Sequence, residues 1–217
     1  MNVPDWFPSH MFKFLNRNHV DGMLKRGLVR IGTSFEFRKA DGKTGARSDP
    51  KEVVTNWQPG AGLQVIDKHH PFAKGLFPNG KVPGDKPIRL QFQEGTILSV
   101  QSNVYIYSAS LECSGYLKER MASEFDADVC VRIDNLPEFF RALSSHEILR
   151  PRDGEVNIVR YLDKPNVADF TGTDVFHKSN EFSWQKEIRA VWWGDNIGES
   201  GTVIEVPATT RFLSRVG

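Results

Sequence analysis

The chain is short of cysteine, of net charge and of long apolar runs, and each shortage removes a class of protein. It has 2 cysteines in 217 residues, Cys113 and Cys130. They lack CxxC spacing and are too few for a disulfide framework, so the expected compartment is a reducing cytoplasm. Lys and Arg number 28 against 27 Asp and Glu, a net charge of +1. No global basic field is available to drive unspecific nucleic-acid binding, although a local basic groove stays open. No run of about 18 apolar residues exists to span a membrane. Pro4 and Pro8 fall where a signal peptide needs a continuous apolar stretch. A P-loop, a Gly-x-Gly-x-x-Gly after a strand and a Gly-x-Ser-x-Gly elbow are all missing, which argues against a Rossmann site and a serine hydrolase. His69 and His70 are adjacent, so they share no face, and no third ligand stands at metal spacing; no metal site is expected.

What is present is a succession of strand-like runs interrupted by a few helices. Residues 11–15 (MFKFL) read as a strand. Asn18 offers an N-cap for a helix carrying Val20, Met23 and Leu24, closed by Gly27, and residues 28–33 form the next strand. Between 38 and 87 the pattern dissolves into Gly, Pro, Lys and Asp, with weak periodicity at 62–66, as expected of a long functional loop or lid. Strands are predicted at 88–93, 97–101, 104–108 and 128–133, with helices over 115–125 and 136–143, the latter with Pro137 in its first turn. Further strands are expected at 155–162, 175–178, 183–193 and 202–206. Helices falling between strands without strict alternation indicate an α+β fold with mainly antiparallel or split sheets. The length suits one domain, residues 1–217, since single domains commonly reach roughly 200 to 250 residues.

One segment stands out for its polar spacing. In Trp184-Gln185-Lys186-Glu187-Ile188-Arg189, strand alternation would aim Gln185, Glu187 and Arg189 to one side and Trp184, Ile188, Ala190 and Trp192 to a core. Such a face is either a solvated surface or a site. Ser108 and Ser110 share a face by the same rule, opposite Tyr107 and Ala109. Trp192 is expected in the core, and Trp193 as a cleft wall or partner contact. In the long loop Lys39, Lys43, Arg47, Lys51 and Trp57 interleave basic and aromatic groups, which suits either a strand-binding surface or a solvated loop.

Taken in order, a cation on the first strand (Lys13), the run Tyr107-Ser108-Ala109-Ser110 and Gln185-x-Glu187 resemble the three-part signature of the ADP-ribosyltransferase superfamily. The chain is also similar to a group of bacterial proteins with Leu-Tyr-Lys-Tyr, a short helix ending in Gly, a strand and later Asn-Asp-Pro-Phe-Glu. Here those read Met11-Phe12-Lys13-Phe14, Gly27 to Ile31, and Ser48-Asp49-Pro50-Lys51-Glu52. The group's Tyr-Ser-x-Ser, Lys-Ser and Trp-x-x-Glu-x-Arg correspond to Tyr107 to Ser110, Lys178-Ser179 and Trp184 to Arg189.

The resemblance implies small split sheets around a cleft that binds NAD as substrate. It implies transfer of ADP-ribose to a macromolecular acceptor, protein or nucleic acid, by a soluble bacterial or phage protein of a toxin or defence system. Glu187 would stabilise the oxocarbenium-like ribosyl cation, and Gln185 would orient the acceptor. Tyr107, Ser108 and Ser110 would shape the pocket, and Lys13 with Arg38 would hold the phosphates. A lysine replaces the superfamily's Arg or His and lacks the guanidinium fork, which Arg30, Arg38 or Arg47 would have to supply. Gln in place of a first Glu disfavours arginine modification and leaves amide, hydroxyl and nucleobase acceptors open. An NAD hydrolase, an RNA 2′-phosphotransferase and a non-enzymatic binding module are the alternatives. Arg189 would either orient Glu187 or neutralise it.

Overall fold

The computed structural model describes residues 7–39, 54–57, 60–66, 88–96, 98–101, 103–162, 174–194 and 197–216. In chain order its elements are β1 (His10–Leu15), α1 (Arg17–Arg26), β2 (Leu28–Thr33), α2 (Ser34–Lys39), β3 (Val54–Trp57), β4 (Gly62–Ile66), β5 (Ile88–Phe92), β6 (Leu98–Gln101) and β7 (Tyr105–Ser110). Then come α3 (Gly115–Phe125), β8 (Val129–Asp134), α4 (Leu136–Ser144), β9 (Asp153–Ile158), β10 (Arg160–Leu162), β11 (His177–Ser179), β12 (Glu187–Trp193), β13 (Thr202–Glu205) and β14 (Leu213–Arg215). Short 3-10 helices occupy Asp174–Phe176, Asn180–Gln185 and Pro207–Phe212. The class is α+β with mostly antiparallel pairing; β10 and β11 pair in parallel.

Two compact units divide the chain. One comprises Met1–Glu52, Asn103–Lys164 and Asp174–Gly217, the other Val53–Ser102 and Pro165–Thr173. In the smaller unit β3 pairs with β6 and β4 with β5, both antiparallel. The stretch 38–87, read from sequence as a long loop or lid with weak periodicity at 62–66, contains the strand Gly62–Ile66 at that periodicity and also Val54–Trp57, which no pattern marked. Lys43, Arg47, Lys51, Lys68, His69, His70 and the Ser48-Asp49-Pro50-Lys51-Glu52 motif lie outside the described residues, as do the side chains of Lys39 and Trp57.

The larger unit is organised around β7. One edge of β7 pairs along its whole length with β12, from Tyr105↔Trp192 to Ser110↔Glu187, and β12 pairs on its far side with β9. The other edge is shared: Tyr105 and Ile106 meet Thr33 and Gly32 of β2, while Ser110 meets Phe12 of β1. Among the described residues no strand pairs with this edge between Ile106 and Ser110. The sheet splits there into a β2–β13 branch and a β1–β8–β14 branch. The split is what positions the candidate site.

Local chemistry explains most boundaries. α1 is capped by Asn16, whose side chain accepts from the Asn18 N–H, so Asn18 is the second helical residue and not the cap expected. It ends at Gly27 in the left-handed region with φ 68, a conformation that suits glycine. α3 has Ser114 as N-cap, and α4 carries Pro137 in its first turn. Strand alternation sends Tyr105, Tyr107, Ala109, Ile188, Ala190 and Trp192 into the main core with Phe139, Phe140 and Leu143 of α4. Lys13 pairs with Val131, a core residue, so it too starts from the core face.

Candidate functional site

The strand expected over 183–193 begins only at Glu187. Asn180–Gln185 forms a 3-10 helix, and Lys186, with φ 45, turns the chain between helix and strand. The period-two rule therefore holds for Glu187 and Arg189 but not for Gln185 or Trp184. Trp184 lies between the Phe125 ring, stacked at 6.2 Å, and the Arg120 guanidinium, 3.8 Å above its face. The 3-10 turn is thereby tied to α3. The strand expected at 175–178 is likewise displaced: Val175 and Phe176 belong to a 3-10 helix and β11 starts at His177.

Glu187 and Arg189 stand opposite Ser110 and Ser108 in the β7–β12 ladder, all four on the face away from the main core. Arg189 is 2 % exposed and Glu187 6 %. The guanidinium grips the carboxylate with Nε to Oε1 at 2.7 Å and Nη2 to Oε2 at 3.3 Å, and its Nη1 donates to the Val175 carbonyl at 2.6 Å. Lys178 Nζ donates to Glu187 Oε2 at 3.2 Å and to Gln185 Oε1 at 2.8 Å. The Ser108 side chain, on the same face, also favours the charged carboxylate. Burial opposes the negative charge, but Arg189, Lys178 and these hydrogen bonds outweigh it and hold the carboxyl well below the usual carboxylate range. Gln185 thus joins Glu187 through a shared lysine, not through a common strand face.

Lys13 occupies the split. Its Nζ reaches from the core face of β1 to donate to the Ser108 carbonyl at 2.5 Å, across 95 residues of sequence, at the stretch of β7 edge that neither β1 nor β2 covers. The ammonium lies 4.9 Å from the centroid of the Tyr107 ring. Burial lowers its pKa to about 8; the Glu187 charge opposes that shift and Arg30 adds to it. Lysine has three donors and no acceptor, and among the described residues the Ser108 carbonyl is the acceptor Lys13 finds.

The remaining expected residues divide. Tyr107, 1 % exposed, sits on the core side against Phe139 and Phe140, and burial raises its pKa. The Ser110 hydroxyl is turned to main chain, donating to the Gln185 carbonyl at 2.9 Å and accepting from the Glu112 N–H at 3.2 Å. Ser110 thus braces the turn that carries Gln185 and is not brought to the carboxylate. Arg30 is ion-paired with Glu36. Arg38 falls in α2, and its side chain is outside the described residues. Trp192 is in the core, as its alternation indicated, and Trp193 makes an edge contact with Phe176.

Two residues at the cluster were missed or discounted from sequence. Tyr161 accepts the Glu187 N–H on its hydroxyl at 2.8 Å, and Lys178, known from sequence only as part of the Lys-Ser motif, pairs with the Glu187 carboxylate. Tyr161 and Lys178 are directly paired in the β10–β11 ribbon. The Lys178-Ser179 motif was the available signal for one of them; a lone tyrosine in a three-residue strand gave none for the other.

Chemically, the cluster has a fixed, ionised carboxylate surrounded by donors, with the Lys13 ammonium within its electrostatic reach. Such a set can stabilise developing positive charge at the carboxylate and attract an anion at the lysine. Among the described residues no group of three or more His, Cys, Asp or Glu could hold a metal, and no helix is long and apolar enough to cross a membrane. No family model, curated protein or solved structure was found to match the chain.

Proposed function

We propose that the larger unit is an ADP-ribosyltransferase-like domain that cleaves NAD and passes ADP-ribose to a macromolecular acceptor, protein or nucleic acid. The observation that carries this reading is the meeting of three distant segments at a split in the sheet: Lys13 donates to the Ser108 carbonyl, and the Ser108 side chain shares a face with the buried Glu187 carboxylate of the neighbouring strand.

In this reading Glu187, kept ionised by Arg189 and Lys178, faces the positive charge that builds on the ribose as the nicotinamide bond breaks. Ser108 favours the charged carboxylate from the same face. Lys13 is the cation for the pyrophosphate, a point charge with donors left over after the Ser108 carbonyl. Gln185 stands beside the carboxylate through Lys178 and orients the acceptor.

A second reading has its own observation. The two oxygens of Glu187 already receive Arg189 and Lys178, and the residue is 6 % exposed. A carboxylate so occupied also suits a binding module that keeps the fold and performs no chemistry. Calorimetric titration with NAD and mass analysis of the products separate the readings. Nicotinamide release with a mass increment of ADP-ribose on a macromolecule supports transfer. Free ADP-ribose alone supports a hydrolase, removal of a 2′-phosphate from RNA supports the phosphotransferase, and binding without turnover supports the module.

A further inference from the structure

The β10–β11 ribbon brings two paired residues, Tyr161 and Lys178, to the carboxylate, and their hydrogen bonds define which atoms of the cluster remain for a ligand. Lys178 has 8 % of its side chain exposed, and its ammonium also lies 4.8 Å from the Phe182 ring centroid. An ammonium only donates, so the end of the Gln185 carboxamide that it touches at 2.8 Å is the oxygen. The amide N–H2 is then turned away from Lys178. Gln185 is 5 % exposed, yet among the described residues nothing accepts from that nitrogen. The Tyr161 oxygen receives the Glu187 N–H, which leaves the Tyr161 proton to be donated.

We infer that Lys178 is a positioning residue that locks the Gln185 carboxamide with its oxygen inward and its N–H2 outward, so that the ligand meets a hydrogen-bond donor there. A group bound at this position must carry an oxygen or ring-nitrogen lone pair. Without Lys178 the carboxamide is free to rotate by half a turn and present the opposite polarity, and Glu187 loses one of the donors that fix its Oε2. The inference deepens the reading of the cluster as an ADP-ribosyl transfer site, and its structural half stands without that reading.

The test uses the full chain, 15N-labelled, with the side-chain N–H2 signals of Gln185 assigned by their loss in Gln185→Ala. Lys178→Met should move those signals, and Lys178→Arg, which keeps a donor, should return them towards wild type. Signals unmoved in a folded Lys178→Met variant overturn the inference. Should that variant not fold, the wild type decides. A Lys178 ammonium signal protected from exchange with water at neutral pH is expected, and one lost to rapid exchange overturns the lock.

For NAD turnover, Lys178→Met should lower kcat about 100-fold, the scale of a misplaced reacting group, with KM nearly unchanged. Lys178→Arg should recover most of the loss. Equal losses in both variants, or none, contradict a positioning role. A wild-type protein inert towards NAD counts against ADP-ribosyl transfer and leaves the Gln185 signals to decide the role of Lys178.

Discussion

Replacing Arg189 by methionine probes the cluster most severely, because the guanidinium is 2 % exposed and its hydrogen bonds include two to Glu187 and one to the Val175 carbonyl. Methionine fills similar volume but donates nothing, so Glu187 stays buried with Lys178 and Ser108 as its remaining partners. Breaking one partner of a buried pair costs about 3–5 kcal/mol, most of it the penalty on the charge left behind. At about 2–4 °C per kcal/mol for a chain of this length, Tm should fall about 6–20 °C. The partner variant Glu187→Gln removes the charge that Arg189 compensates, so the double variant should be less destabilised than the sum of the singles. Their coupling should reach up to about 3 kcal/mol. Urea unfolding followed by tryptophan fluorescence reads the cycle, since Trp192 lies in the core of the same strand. A single Arg189→Met variant within about 1 kcal/mol of wild type, or strictly additive singles, would refute the claim that these two side chains depend on each other.

Other outcomes follow from the same geometry. Glu187 titrates in the folded protein well below its ordinary value of 4.5, so its stabilising contribution is complete above that value and is lost as the pH falls below it. Acid unfolding of Glu187→Gln should therefore be shallower than that of wild type, and matching acid-unfolding curves would count against the assignment. Lys13 has its pKa lowered from 10.5 to about 8, so between those values the unfolded chain holds more protons and stability should rise with pH. That rise should vanish in Lys13→Met; an identical pH profile in the variant contradicts it. Gly27→Ala should cost at least about 2 kcal/mol by calorimetry, because φ is +68 and the added Cβ would lie 2.2 Å from the Val206 carbonyl oxygen. A wild-type Tm in that variant would mean that the helix end is not held as described.

Where period and caps agreed, the sequence was legible. The strand Leu28–Thr33 and the helix Gly115–Phe125 have the boundaries their patterns predict, the first because Gly27 ends the preceding helix, the second by apolar spacing alone. The polar segment around Gln185 misled because its alternation runs across the boundary between the 3-10 helix, with a period of three, and the strand that begins at Glu187. Only Lys186 in the left-handed region separates the two, and lysine carries no signal for that conformation. Alternation put Ser108 with Ser110 on one strand and Glu187 with Arg189 on another, and both placements stand; that the two strands are neighbours comes from the ladder alone. The faces of Ser110 and Tyr107 followed from the same rule, but their contacts did not, since what a hydroxyl or ring meets depends on the 3-10 turn and on α4, both distant in sequence. The contact of Lys13 with Ser108 depends on the split in the sheet, a property of how three strands share one edge and of no local pattern.

The central claim rests on Glu187 as the carboxylate that meets the ribosyl cation, and the most direct measurement is nicotinamide release from NAD by wild type and Glu187→Gln, with folding of both checked by circular dichroism. The account predicts turnover by wild type and a loss of about 100-fold or more in a folded variant, the scale of removing one electrostatic stabiliser. Equal nicotinamide release by the two proteins, or none by the wild type at millimolar NAD, would contradict it.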